Sequence, residues 1–167
     1  MKTILLMGHA KAVPGVPGQK DFDRTLAERG HDDALRMGRT LAKVGDVPDA
    51  IVSSPAARAR QTAEAAARAM KFAGAIQFER ALYDAPGEAW LAALRALPES
   101  AESVLVVAHS PGIDEAAALL TGAEPGAFDI PTGGTIACCD GTEHWRDLGS
   151  GTSSLLWFLR PKLVERL

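Results

Sequence analysis

The chain has little cysteine, no long apolar run and no excess of positive charge, and each shortage excludes a class of protein. Its two cysteines, Cys138 and Cys139, are neighbours, which excludes the disulfide framework of a small secreted protein. The apolar run that opens the chain is too short for a signal-peptide core, and no segment is long enough to cross a bilayer. We therefore expect a cytoplasmic protein with no membrane partner.

Charge and composition exclude two further classes. The formal net charge is −3, from 18 Lys and Arg against 21 Asp and Glu, which argues against nucleic-acid binding because that function needs a basic face. No pair among the four histidines has a close metal-ligand spacing, and the cysteines lack a second pair, so neither a metal site nor a cofactor is predicted. With 167 residues, of which 47% are hydrophobic, residues 1–167 are predicted to form one domain with its own core.

Short apolar runs alternate with helical patterns along the chain. The runs predict strands at Thr3–Met7, Ala50–Ser53, Ala75–Phe78, Ser103–Ala108, Gly133–Cys139 and Leu155–Leu159. Helices are predicted over Thr25–Val44, from Ser54 to Met70, over Gly87–Ala96 and from Ser110 to Leu120. This alternation predicts an α/β fold, a three-layer sandwich whose central sheet is mostly parallel and carries helices on both faces.

Polar side chains follow three of the predicted strands. His9 comes after the first strand, Arg58 and Arg60 after the second, and His109 after the fourth. In an open α/β sheet, ligands bind beyond the carboxyl ends of the strands. If these strands are parallel neighbours, both histidines and either Arg58 or Arg60 share one crevice, at helix N-termini that already favour an anion.

Two imidazoles and a guanidinium suit a phosphoryl group. A neutral histidine can attack phosphorus, while the other histidine and the arginine neutralise the oxygens in the transition state. Taken singly, each residue has an ordinary structural interpretation, and an unrelated α/β domain with two distant histidines stays an alternative. Ser54, which precedes a proline, is interpreted as a helix cap rather than a nucleophile.

Five segments in this order resemble the histidine phosphatase (phosphoglycerate mutase-like) superfamily, and most of all its small SixA-type phosphohistidine phosphatases. The resemblance covers nearly the whole chain. The segments that carry it are LLMGHAKA, DFDRTLAERG, SSPAARARQTAEAA, VLVVAHSPGIDEAA and PTGGTIA.

The resemblance implies a role for each matching residue. His9 would be the nucleophile that accepts the phosphoryl group, Arg58 the arginine that grips it, and His109 the second, charge-stabilising histidine. Arg60 falls at a variable position of the pattern. Arg24 matches a frequent arginine near the pocket rim and would bind substrate.

Gly8 departs from the family pattern, which has an arginine immediately before the nucleophilic histidine. Loss of a preorganised donor to a developing oxyanion costs about two to three orders of magnitude in rate. Two alternatives follow: either Lys11 or Arg24 supplies the missing charge and the chain is a phosphatase, or it is a degenerate module that binds phosphorylated ligands with little turnover. Glycine also leaves room for a bulkier substrate.

The segment ALYDAPGEAW is short where larger members of the superfamily insert a lid that supplies a proton donor. Asp84 and Glu88 are its only carboxylates and are the candidate general acids. A site with a weak or absent proton donor suits a substrate whose leaving group departs easily, as in a phosphoramidate. The expected partner is therefore a phosphorylated protein, such as a histidine phosphotransfer domain, or a small phosphorylated molecule.

Overall fold

The computed structural model describes all 167 residues and contains six strands and six helices. The strands are β1 (Lys2–Gly8), β2 (Ala50–Ser53), β3 (Ile76–Phe78), β4 (Ser103–Ala108), β5 (Thr135–Asp140) and β6 (Ser153–Leu159). The helices are α1 (Glu28–Val44), α2 (Ala57–Met70), α3 (Ala81–Asp84), α4 (Gly87–Arg95), α5 (Gly112–Thr121) and α6 (Pro161–Val164). Two short 3₁₀ turns lie at Asp21–Asp23 and Trp145–Asp147.

The six strands form one sheet in the order β3-β2-β4-β1-β5-β6. The first four of these run parallel to one another, β5 is antiparallel to β1, and β6 is antiparallel to β5. Only β5 therefore runs against the other strands. The predicted α/β class with a mostly parallel sheet is confirmed.

Both faces of the sheet are covered, as the alternation along β1 shows. Ile4 and Leu6 pack into the core under α4 and α5, whereas Leu5 and Met7 pack under α1 and α2. Side chains that alternate between two buried faces explain why β1 is apolar almost throughout. The three-layer arrangement is confirmed.

The start of α2 differs from the expectation. Ala56, not Ser54, occupies its N-cap position and makes no side-chain cap bond. Ser54 instead accepts a hydrogen bond from the backbone N–H of Ala56 at 3.3 Å while its hydroxyl meets His109. The prediction of Ser54 as the helix cap was wrong because its hydroxyl is buried at the end of β2 and serves the site.

None of the helices combines the length and the apolar composition that crossing a lipid bilayer would require.

Candidate active site

The two histidines lie side by side at the carboxyl ends of adjacent parallel strands. Gly8 and Ala108 are register partners in β1 and β4, so the residues that follow them emerge at the same level. The backbone N–H of His9 donates to the carbonyl of Ala108 at 2.9 Å. The imidazole centroids of His9 and His109 are 5.1 Å apart, with the ring planes inclined at 49°. The alternative of two distant histidines does not describe this chain.

Hydrogen bonds hold the His9 ring in one orientation. Its Nδ1–H donates to the carbonyl oxygen of Ala10 at 2.8 Å, which leaves the lone pair on Nε2 because a carbonyl can only accept. The loop is tied to α2, since the Ala10 N–H donates to the Thr62 hydroxyl at 3.0 Å and that hydroxyl donates to the Arg58 carbonyl at 2.7 Å. The nitrogen that faces the site is therefore the one able to attack an electrophile.

Arg58, in the first turn of α2, reaches the His9 ring. Its Nε–H donates to Nε2 of His9 at 3.3 Å, and the side chain is buried. Arg60 is exposed, and its guanidinium lies 4.2 Å from the centre of the Phe78 ring. Of the two arginines that the sequence left open, the structure brings Arg58 to the histidines.

His109 is buried and held by one polar contact. Its Nε2 lies 2.8 Å from the hydroxyl oxygen of Ser54, and its Nδ1 has no hydrogen-bond partner. The edge of Tyr83 packs against the ring, with centroids 5.5 Å apart. This nitrogen is buried, so it is an unpartnered polar atom that a ligand oxygen reaches only when the surrounding side chains shift.

The carboxylate of Asp21 bridges the cations Arg58 and Arg24. Asp21 was not among the site residues predicted from the sequence. Its carboxylate accepts from Arg58 at 3.0 Å, from Arg24 at 3.0 Å and from the Tyr83 hydroxyl at 3.1 Å. Partial burial acts to raise the pKa of Asp21, but the bonds from Arg24 and Arg58 outweigh it and lower that pKa to about 2. Asp21 therefore stays ionised and positions both arginines.

The sequence contains only indirect evidence that Asp21 and Tyr83 belong to the site. Asp21 stands three residues before Arg24 in DFDR, the spacing that brings a side chain back to its neighbour in a turn. Tyr83 lies in the segment ALYDAPGEAW, beside the candidate acid Asp84. Their approach to Arg58 depends on tertiary packing, which local patterns do not reveal.

Burial keeps both imidazoles neutral at neutral pH. It lowers the pKa of His9 to about 4, against the opposing effect of the bond to Ala10, and the nearby Arg58 and Arg24 cations lower it further. Burial also lowers the pKa of His109 to about 3, with smaller contributions from His9 and Arg58. A neutral His9 is the form in which its Nε2 can act as a nucleophile.

Gly8 opens a small hollow beside His9. Gly8, His9, Ser110, Ile130 and Thr132 line a cavity of about 100 Å³. A Cβ atom added at Gly8 would lie 3.2 Å from the carbonyl oxygen of Pro131. A longer side chain at position 8 would therefore leave the backbone in the direction of residues 130–132.

The other predicted site residues are spread over neighbouring hollows. Asp84 shares a cavity of about 290 Å³ with His109, and it pairs with Arg80 at 3.5 Å. Glu88 lines a different hollow against α5. Lys11 lines a third, which shares Thr132 with the His9 hollow.

Comparisons with known proteins agree with this geometry. The family model described as the histidine phosphatase superfamily, branch 1, matches residues 4–90. An uncharacterised protein of Mycobacterium tuberculosis is 33% identical over 165 residues, covering 93% of this chain and all of the relative.

Two solved structures match this chain over nearly its whole length. A protein assigned as the phosphohistidine phosphatase SixA of Agrobacterium tumefaciens is 31% identical, with a TM-score of 0.82 and coverage of 96% of this chain and 98% of that one. The protein histidine phosphatase SixA complexed with tungstate also has a TM-score of 0.82, at 23% identity, covering 97% of this chain and 99% of that one. At that identity the second match shows a shared fold.

Proposed function

Because this chain belongs to branch 1 of the histidine phosphatase superfamily, we propose that it is a metal-independent phosphatase acting through a phosphorylated His9. The observation that carries the proposal is the pair of imidazoles 5.1 Å apart, with the Arg58 guanidinium bonded to the ring of His9. In this proposal residues 1–167 act as one catalytic domain, with the sheet holding all the reacting groups at one edge.

His9 is the proposed nucleophile. Its neutral ring attacks phosphorus through Nε2, forming the N–P bond as the bond from phosphorus to the leaving group breaks and the leaving group departs with the electron pair. Water then attacks the phosphohistidine, which releases phosphate and restores neutral His9. The bond from Nδ1–H to the Ala10 carbonyl (2.8 Å) holds the ring for both steps.

Arg58 and His109 are the proposed stabilisers of the transferring phosphoryl group. The Nε–H of Arg58 donates to Nε2 of His9 at 3.3 Å in the free site. This bond breaks when Nε2 attacks phosphorus, and the N–H turns to a phosphoryl oxygen as the N–P bond forms. A phosphoryl dianion beside His109 raises the pKa of that ring against the effect of burial and favours a proton on Nδ1. Both groups then donate to oxygens that gain charge in the transition state.

The proposed substrate is one whose leaving group departs with little acid assistance. Asp84 shares the His109 hollow, but it is exposed and paired with Arg80. Glu88 lines another hollow, and Asp21 stays ionised because its pKa is lowered to about 2. Phosphohistidine of a protein, such as a histidine phosphotransfer domain, or a small activated phosphate ester meets this requirement.

Gly8 favours a second candidate, a module that binds phosphorylated ligands with little turnover. Without a side chain at this position, the cations that act on His9 are Arg58 and Arg24, and both are bonded to Asp21. We propose Arg24 as the group that supplies charge at the pocket rim. Lys11 would contribute from the neighbouring hollow.

Trapping the intermediate tests the first candidate. Wild-type protein incubated with ³²P-labelled phosphoramidate and quenched in alkali should carry acid-labile phosphate on His9, located by peptide mapping. His9→Asn should carry none, whereas His31→Asn, on α1, should label as the wild type does. Hydrolysis without any labelled histidine would refute the mechanism, and phosphoramidate binding without label or hydrolysis would indicate the binding module.

A further inference from the structure

A second hollow beside the candidate active site is lined by cations. It has a volume of about 390 Å³, and its lining includes the side chains of Lys11, Arg29, Arg160 and Lys162. The remaining lining consists of prolines, a threonine and one carboxylate, that of Asp33. The chain as a whole carries a net charge of −3, so the positive charge of this concave surface is a property of the hollow and not of the whole protein.

Most of this positive charge is not neutralised. No carboxylate oxygen lies within 4 Å of the side-chain nitrogens of Lys11, Arg160 or Lys162. The Asp33 carboxylate is engaged by Arg36 at 3.1 Å and by Arg29 at 3.6 Å. Like charges that converge on a concavity without partners repel one another and focus a positive potential there, so the hollow favours an anion.

This hollow adjoins the His9 cavity. Thr132 lines both, and Lys11 follows His9 by two residues at the end of β1. Gly8 keeps the His9 cavity open on the side of residues 130–132. The two hollows therefore share a wall at Thr132, and a molecule that spans this residue would occupy both.

We propose that the hollow lined by Lys11, Arg29, Arg160 and Lys162 binds a second phosphoryl group of the substrate, so that the site takes a small molecule carrying two phosphoryl groups. This inference rests on the proposed function, because it places the first phosphoryl group at His9. The volume is in the range of small-molecule pockets. Apart from two prolines, the lining offers no aliphatic or aromatic side chain in which a protein partner could anchor.

Matched phosphonates test the proposal. Methylene-, propane- and pentane-bisphosphonate are compared with the monophosphonates of the same chain length, both as inhibitors of phosphoramidate hydrolysis and by calorimetric titration. For the best-fitting spacer, we expect the wild type to bind the bisphosphonate at least about tenfold more tightly than the monophosphonate, since several weak ion pairs add. Binding should show one ligand per chain.

Charge removal locates the second group. In Arg160→Gln/Lys162→Gln the preference for the bisphosphonate should fall to about twofold or less. Arg39→Gln/Lys43→Gln removes the same charge from exposed positions of α1 that line a separate hollow and should keep the preference. Thermal unfolding of both variants excludes a folding defect.

Each remaining outcome is decisive. Equal binding of mono- and bisphosphonates by the wild type overturns the proposal, even if His9 is phosphorylated normally. A bisphosphonate preference without any phosphoramidate hydrolysis supports the second subsite and refutes the proposed function instead. If Arg160→Gln/Lys162→Gln weakens the hydrolysis of a phosphohistidine protein but leaves bisphosphonate binding intact, the hollow serves an acidic protein surface and the proposal is wrong.

Discussion

Gly8 occupies a position from which a side chain would enter the cavity beside His9. The backbone there lies in the last position of β1, its carbonyl and that of His9 accept from the N–H of Gly133, and the adjoining cavity of about 100 Å³ is shared with His9. The space beside His9 is therefore available either to an arginine or to part of a substrate. A substitution at this position distinguishes between these two uses.

Gly8→Arg should raise kcat for phosphoramidate hydrolysis by about ten- to a hundredfold, because a preorganised guanidinium adds a donor to the phosphoryl oxygens. The new Cβ would meet the Pro131 carbonyl at 3.2 Å, so a shift of a few tenths of an ångström accommodates it. Single-turnover and steady-state rates measure the effect, and Gly8→Gln is the control that fills the space without charge. Rates for both variants at or below that of the wild type would show that the cavity belongs to the substrate.

The sequence predicted those site residues whose positions depend on strand ends. His9, Arg58 and His109 each follow a strand that the apolar runs reveal, and parallel pairing of β1 with β4 and of β4 with β2 brings them to one edge. Asp21 and Tyr83 lie in a 3₁₀ turn and in the four-residue helix α3. Such short elements carry no periodicity, so only the folded chain shows that they reach Arg58.

Helices α1 and α2 pack closely at Gly38, where a side chain would not fit. A Cβ atom added at Gly38 of α1 would lie 2.5 Å from the backbone oxygen of Ala66 and 2.9 Å from the Cβ atom of Ala69, both in α2. The same helix α2 carries Arg58 and Thr62, which hold the ring of His9 and the backbone that follows it. The contact between the two helices therefore supports the geometry of the site.

Gly38→Ala should destabilise the protein despite the better helix propensity of alanine. The overlap with Ala66 forces the helices apart at a cost of about 1–3 kcal/mol, against a gain of about 1 kcal/mol from propensity. Urea unfolding should show a lower free energy of unfolding, and kcat/KM should fall because Arg58 moves with α2. Arg39→Ala, at the exposed neighbouring position, is the control. An unchanged or higher stability of Gly38→Ala would contradict this packing.

For the molecule as a whole, the alternation of strands and helices predicted the three layers and most of the sheet. It did not state the direction of β5, which is antiparallel to β1. Residues 141–152 join β5 to β6 with no α-helix between them, and a connection without a crossover helix is typical of antiparallel neighbours. The order of the strands depends on long-range pairing, which no local pattern records.

The two buried histidines should make the stability of the whole molecule depend on pH. In the unfolded chain their pKa is about 6.5, whereas burial in the folded protein lowers the pKa of His9 to about 4 and that of His109 to about 3. Between these values the unfolded state binds more protons, so the stabilisation is complete above about pH 6.5 and is lost as the pH falls toward 4 and then 3. The lowered pKa of Asp21, about 2, acts only below its ordinary value near 4 and does not overlap the upper part of this range. Urea unfolding at pH 7.5, 6.5 and 5.5 should therefore show a falling free energy of unfolding, with a shallower fall in His109→Asn. A flat profile in the wild type, or the same slope in His109→Asn, would mean that the two imidazoles are not held neutral together in the folded protein.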